Sequence, residues 1–386
     1  MFVTFGVSGR DNPKKEAEVA GSESSDTAGK ARLGARNLLR NCVRLGSGHS
    51  VLLVEEAAYL DYFDHRVAPT IAREARNLGA TVLTFTTPRA NGPHDVPPSL
   101  TAAMMHVDHT VFLNRIGDQM RFRSLPGTCT KTMVYALDEP TLASRAAALR
   151  HEFMERMIDA FNAEMSSRSA WRITCPAGTD ISGEMPETRP GQDGSGHEFA
   201  VRLFPMSVHR PVPGGSMNGR IVLQRWITGT NTNVYSPEVH FLRSPITVVV
   251  ECGHAVDFLG ETHAVDAFRA HSRAVGDKFG LDETLIHSWH AGLNPGTRYF
   301  ARAKDDPVRW NGMIFGSPRH LHFHTCGDYP PGEINWHVID PRVEFDGEPF
   351  LDGGHVPFFE TERARLLRRE FDVPAGSLVT CDDIGL

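Results

Sequence analysis

Six histidines fall between positions 287 and 337: His287, His290, His320, His322, His324 and His337. The tightest group is RHLHFHTCGD, where His320, His322 and His324 alternate with Leu321 and Phe323. On a β-strand, residues i, i+2 and i+4 share one face, so the imidazoles would line one side while Leu321 and Phe323 pack into the other. Neutral imidazole is the commonest side-chain ligand for zinc and also suits iron, copper and nickel. Two ligands from one strand are geometrically easy, and a third comes from a neighbouring strand. A polar sheet face would give the same alternation, but two further histidine segments follow it in the chain. The strand is too crowded for all its histidines to ligate, so some are expected to orient ligands or to face substrate as bases.

The second segment is LIHSWHAGLNPGTRY, residues 285–299. Its Asn294-Pro295-Gly296 is a turn signal, which puts His287 and His290 just ahead of a loop. The third is EINWHVIDPRVEFDG, where His337 is expected on a strand and Asp340 precedes Pro341. An imidazole with a nearby carboxylate is part of a two-His, one-carboxylate iron site; Asp before Pro also commonly starts a turn. His209, His240 and His254 are expected to be structural. No GxSxG, P-loop or dinucleotide fingerprint occurs, so serine-hydrolase and nucleotide chemistry are unsupported.

The elements that would position these groups follow from hydrophobic patterning. Residues 1–30 are expected to form a flexible N-terminal segment, since Ser8 to Lys30 is polar and poor in aromatics. A helical pattern begins near Ala31. SVLLVEE, ATVLTFTT, HTVFLN and KTMVYAL read as strands, Tyr59 to Leu78 as a helix, and Glu139 to about Glu164 as a long closing helix. Residues 31–168 are therefore expected to form an α/β domain with a parallel sheet. Beyond Arg168, Pro and Gly become frequent and short β-like segments dominate: SAWRITC, GRIVLQRWI and SPITVVVECGHAVDF, with a helix at about His263 to Phe279. Residues 169–386 are expected to be an α+β, mostly antiparallel metal-site domain.

Bulk properties exclude several classes. The chain has no apolar run long enough for a membrane span and no secretory-signal layout at its N-terminus. With a net charge of −7 and no basic run, neither nucleic acid nor membrane is expected as a partner. Six scattered cysteines without a CxxC pair argue for a reducing compartment and a cytoplasmic location.

In order, the pieces CPAGTDISG, SPITVVVECGHAVDFLGE, HSWHAGLNPGTR, FGSPRHLHFHTCGD and INWHVIDPRVEFDGEPFLDGG give the sequence a family likeness over about residues 170 to 355. This half resembles the leucyl-aminopeptidase-like group, with its thermophilic metallo-aminopeptidases, and the related 2,5-dihydroxypyridine 5,6-dioxygenases. The resemblance implies a metal site at the junction of the last three pieces. In the dioxygenase branch it implies a His before the GLNP turn and then a His-x-Asp. Ungapped, the first of these positions is Ser288, flanked by His287 and His290; His337 fits the second, with Ile339 at the acid's place and Asp340 one step beyond. In the peptidase branch a His with a Tyr seven residues later recurs, a spacing matched by His322 and Tyr329.

The function expected from these readings is a metal-dependent enzyme acting on a small aromatic or heteroaromatic molecule. The favoured form is a non-haem Fe(II) ring-cleaving dioxygenase. Its expected ligands are His287 (or His290), His322, His337 and Asp340, with His324 and Tyr329 as catalytic acid/base groups. The alternative is a zinc- or manganese-dependent hydrolase, with Glu251 or Glu333 as base. Arg298, Arg319 and Trp336 suggest an anionic, planar substrate, and the resemblance implies a homo-oligomer such as a dimer.

Overall fold

The computed structural model describes residues 26–90, 92, 95–120, 127–186, 201–230, 234–328 and 331–386. The expected flexible segment therefore lies, up to residue 25, outside the described residues, as does Tyr329. The architecture is mixed α/β: one parallel sheet flanked by helices, and two antiparallel sheets.

The short apolar runs near the N-terminus become strands β1 (Ser50–Glu56), β2 (Thr81–Thr87), β3 (His109–Leu113) and β4 (Thr130–Val134). Neighbouring strands pair in parallel in the order β2-β1-β3-β4. Both faces of β1 are buried: Val51 and Leu53 join a cluster with Leu38 and Ile71, Leu52 and Val54 one with Phe112 and Met133. A continuous apolar run rather than an alternating one is what such two-sided burial requires. The chain then departs through β5 (Ala170–Thr174) and β6 (Asp180–Glu184) and returns as β7 (Arg202–Phe204), which pairs in parallel with β4. The parallel sheet thus takes its last strand from sequence well beyond residue 168.

Two expected elements are subdivided for local reasons. The long closing helix is three pieces, Glu139–Leu142, Arg145–Ala148 and His151–Ser166. Asp138 and Ser144 restart the helix by accepting the backbone N–H groups of Thr141 and Ala147, and Leu149 and Arg150 leave the helical region. GRIVLQRWI splits at Arg225, whose φ of 67° turns the chain, so that β9 (Asn218–Leu223) and β10 (Trp226–Thr228) belong to different sheets.

The remaining strands are β8 (Val212–Pro213), β11 (Val239–Phe241), β12 (Ile246–Glu251), β13 (His254–Leu259), β14 (Ile286–Ala291), β15 (His320–Cys326), β16 (Glu333–Ile339), β17 (Arg342–Phe345) and β18 (Glu348–Asp352). They form a six-stranded sheet, β11-β10-β16-β15-β14-β8, and a seven-stranded sheet, β13-β12-β9-β6-β5-β17-β18. One apolar cluster joins Trp171, Ile181, Ile221 and Val248 of the larger sheet to Trp289, Leu321, Phe323 and Trp336 of the smaller. The rings of Trp171 and Trp289 meet edge to face at 5.1 Å between centroids, and Phe345 stacks on Trp289 at 6.2 Å.

The opposite face of the six-stranded sheet is covered as well. The helix Pro307–Ile314 and the following Phe315 lie over it, with Phe315 sharing a cluster with Val54, Phe112 and Met133 of the parallel half. All seven residues of β15 are consequently buried.

Because Trp289 is fully buried where the two antiparallel sheets meet, Trp289→Ala should cost about 3–5 kcal/mol through lost burial and the cavity left behind. Urea denaturation measures this; a loss below about 1 kcal/mol would mean the sheets do not share a rigid core.

Candidate metal centre

Register decides which histidines meet. Across β14, β15 and β16, His290 lies opposite His322, which lies opposite His337; the next row is Ser288, His324 and Asn335. With Trp289, Leu321, Phe323 and Trp336 committed to the apolar core, alternation sends the residues of these two rows to the other face.

On that face the Nε2 atoms of three imidazoles converge. His290 and His322 are 2.7 Å apart, His322 and His324 3.0 Å, and His290 and His324 3.2 Å. All are buried, and they are the group of possible ligands that comes together among the described residues. Burial, reinforced by the surrounding imidazoles, pushes His322 well below the ordinary histidine range, so its ring is neutral. Three mutually close Nε2 atoms cannot all pair internally: each is a donor or an acceptor, so at least one contact sets like against like. A cation facing the lone pairs removes the conflict. Ligands about 2.1 Å from a metal on one face of an octahedron stand about 3.0 Å apart, which is the size of this triangle. The residues present therefore fit a divalent metal.

The outer nitrogens of two of the rings are oriented by further contacts. His290 Nδ1 lies 3.3 Å from the His209 carbonyl, and His324 Nδ1 lies 3.4 Å from Ser288 Oγ, which donates to Asp328 at 3.5 Å. Such contacts place the proton on Nδ1 and leave Nε2 free to ligate. His209 is itself tied down, its Nε2 accepting from Ala291 N at 3.0 Å. Phe315 stacks on His322 at 4.3 Å between centroids. Gly292, just past β14, makes this possible: a Cβ there would meet the backbone of Gly316 at 2.2 Å, so only glycine lets the segment carrying Phe315 come so close.

The structure distributes the other expected site residues elsewhere. A register shift between Ile286 and Ser288 turns His287 aside, and its Nε2 meets the Cys326 carbonyl at 2.9 Å. His337 shares the imidazole face but pairs with His320 (3.0 Å) and Thr228 (3.0 Å), with Trp310 edge-on to both rings. Asp340 ends β16 at φ 50° and forms a two-pronged ion pair with Arg319, at 2.6 and 2.8 Å. That pairing uses both carboxylate oxygens and two nitrogens of the Arg319 guanidinium, whose third donates to the Asp382 carbonyl, so the arginine suggested for an anionic substrate is already engaged. Arg298 pairs with Asp383, and Trp336 points into the apolar core. Glu251 is exposed at the end of β12 in the other sheet, whereas Glu333 is buried on β16. His324, expected as an acid/base group, stands within the triangle, and His290, left as the alternative to His287, completes it. The signal for His290 was present: Trp289 marks the core face, so Ser288 and His290 must share the other.

Comparisons with known proteins bear on this arrangement. No family model matches the sequence, and no curated protein does. Among solved structures the fold matches 2,5-dihydroxypyridine dioxygenase from Pseudomonas putida KT2440, with a TM-score of 0.59 over 88% of this chain and 99% of that one, at 16% identity. The chain is thus similar in fold to an enzyme of that kind. No helix among the described residues is long and apolar enough to cross a membrane.

Burying neutral imidazoles ties stability to pH. Burial, despite the bond to the Arg210 carbonyl, lowers His209 to about 4, and burial lowers His337 to about 3, from an ordinary 6.5. The unfolded chain takes up these protons near pH 6.5 while the folded one does not, so stability present above that pH is lost as it falls toward 4 and 3. Taking metal-free protein from about pH 7 to about pH 5 should remove roughly 2 kcal/mol per imidazole. Urea midpoints at the two pH values measure the loss, and an unchanged midpoint would contradict neutral burial.

Proposed function

We propose that this protein is a metal-dependent enzyme whose metal is held by His290, His322 and His324, and that it is a non-haem iron(II) dioxygenase cleaving a small hydroxylated aromatic or heteroaromatic ring. The observation that carries the proposal is the buried triangle of Nε2 atoms, within 3.2 Å of one another, on a fold similar to that of 2,5-dihydroxypyridine dioxygenase. In this reading the His-x-acid spacing of the dioxygenase branch is met by His322-Phe323-His324, with imidazole in place of carboxylate. When bound, iron(II) supplies the site at which dioxygen and a chelating substrate react.

The chain's own residues do the rest. All three ligands come from one sheet face, so substrate would approach from the side of Phe315 and the helix Pro307–Ile314. A ligand set of neutral imidazoles leaves the metal's charge uncompensated, which favours binding the substrate as a ring-hydroxyl anion. Tyr329, which follows Asp328 in the chain, is assigned the proton transfer at that hydroxyl. Ser288 and Asp328 hold the His324 ring in its ligating tautomer. The alternative, hydrolysis by a zinc-activated water, draws on the same observation, since a His₃ set with an open position also suits catalytic zinc.

His322→Ala should reduce bound metal to less than about a tenth of wild type, while His337→Ala, outside the triangle, should keep it. Metal content by plasma mass spectrometry decides this; the reverse pattern would move the site to His337. Oxygen uptake on hydroxylated pyridines by iron-loaded protein supports the dioxygenase, whereas zinc retained through purification without oxygen uptake would replace it with the hydrolase. Asp328→Asn, which weakens the support of His324, should lower metal affinity by about 10–100-fold, measured by chelator competition. Unchanged affinity would remove Asp328 from the site.

A further inference from the structure

Two side chains beside the triangle have no use in the metal centre. Asn311, on the helix Pro307–Ile314, and Asn335, on β16, are both completely buried. Each donates its Nδ2 to the same acceptor, the Gly229 carbonyl, at 3.2 and 3.1 Å. A carbonyl can only accept, so these bonds fix which end of each amide is nitrogen. Both Oδ1 atoms are then left buried without a donor. A buried, unmatched acceptor calls for a partner, and here two stand on neighbouring amides beside the triangle.

Their position says where that partner sits. Asn335 lies directly opposite His324 in the β15–β16 register and shares its face. Asn311 stands one helical turn before Phe315, whose ring stacks on His322. Bound to one carbonyl, the two amides are neighbours, and Asn335 lies on the sheet face that carries the triangle. The surrounding groups include the aromatic rings of Phe315 and Trp310. A carboxamide oxygen takes only N–H or O–H, and gains nothing from an ether, a nitro group or a carboxylate.

We infer that Asn311 and Asn335 form a substrate-positioning subsite that reads hydrogen-bond donors, so that the preferred ligand is a small planar ring presenting an O–H or N–H in addition to the group that binds the metal. The inference rests on the metal centre proposed above and adds what that centre selects. A ring lacking the donor leaves both amide oxygens buried and unmatched, which is the condition under which polar sites discriminate most strongly.

The test uses full-length protein loaded with redox-inert zinc and titrated with 2,5-dihydroxypyridine by calorimetry, with azide as a metal ligand that carries no donor. Asn335→Ala and Asn311→Ala should each weaken dihydroxypyridine binding at least about tenfold while leaving metal content and azide affinity unchanged. Should Asn335→Ala fail to fold, Asn311→Ala, on a separate element, reads the same subsite. Unchanged dihydroxypyridine affinity, a loss that parallels azide, or no binding to the loaded wild type overturns the subsite and leaves the metal centre standing. Wild-type protein that takes up no metal overturns both.

Discussion

Strand β15 is buried on both faces, and the arrangement of the rest of the molecule follows from what those faces demand. Leu321 and Phe323 need an apolar partner, which the seven-stranded sheet supplies through Trp171 and the side chains around it. His320 and His322 are kept dry on the other face by Trp310 and Phe315, from the helix Pro307–Ile314 and the residue that follows it. A strand with one face in water would leave these imidazoles hydrated and near their ordinary pKa. Closed in on both sides, His320 and His322 are pushed well below it.

That arrangement separates two histidine groups that lie on one sheet face. His290, His322 and His324 converge, whereas His320 and His337 pair with each other and with Thr228. The division is a matter of register. His337 lies opposite His322 but its ring turns toward the neighbouring row, where His320 and the edge of Trp310 receive it. The contact within such a pair is matched, one nitrogen donating and the other accepting, as the contacts of a triangle cannot all be. The cross-strand geometry thus distinguishes histidines that pack from histidines that can ligate, although all are buried and all belong to one strand triplet.

The acidic group at Asp340 illustrates the opposite outcome. Its spacing from His337 resembles part of an iron site, but its backbone at φ 50° ends the strand and its carboxylate engages Arg319 in both prongs. A carboxylate already held by a guanidinium gains little by turning to another cation. The cost of this choice is that the proposed site has no anionic ligand among the described residues, and its metal would rely on substrate for charge balance.

Much of the fold was legible in the sequence, because burial imposes periodicity locally. SVLLVEE reads as a short apolar run typical of a buried parallel strand, and the alternation of His320, Leu321, His322, Phe323 and His324 as a strand with one imidazole face and one core face. The helix breaks after Ala148 and the kink at Arg225 were harder, since single capping bonds and one left-handed residue decide them. Site membership was legible only in part. His322 and His324 were in view, and Trp289 implied that His290 rather than His287 shares their face. What no local pattern contains is which strand lies beside which, and in what register. β15 and β16 follow one another in the chain, but β14, β10 and the helix carrying Asn311 reach them across longer stretches, held by backbone hydrogen bonds that carry no sequence code. That long-range pairing set His290 against His322, sent His337 to His320, and brought Asn311 and Asn335 to one carbonyl from different elements.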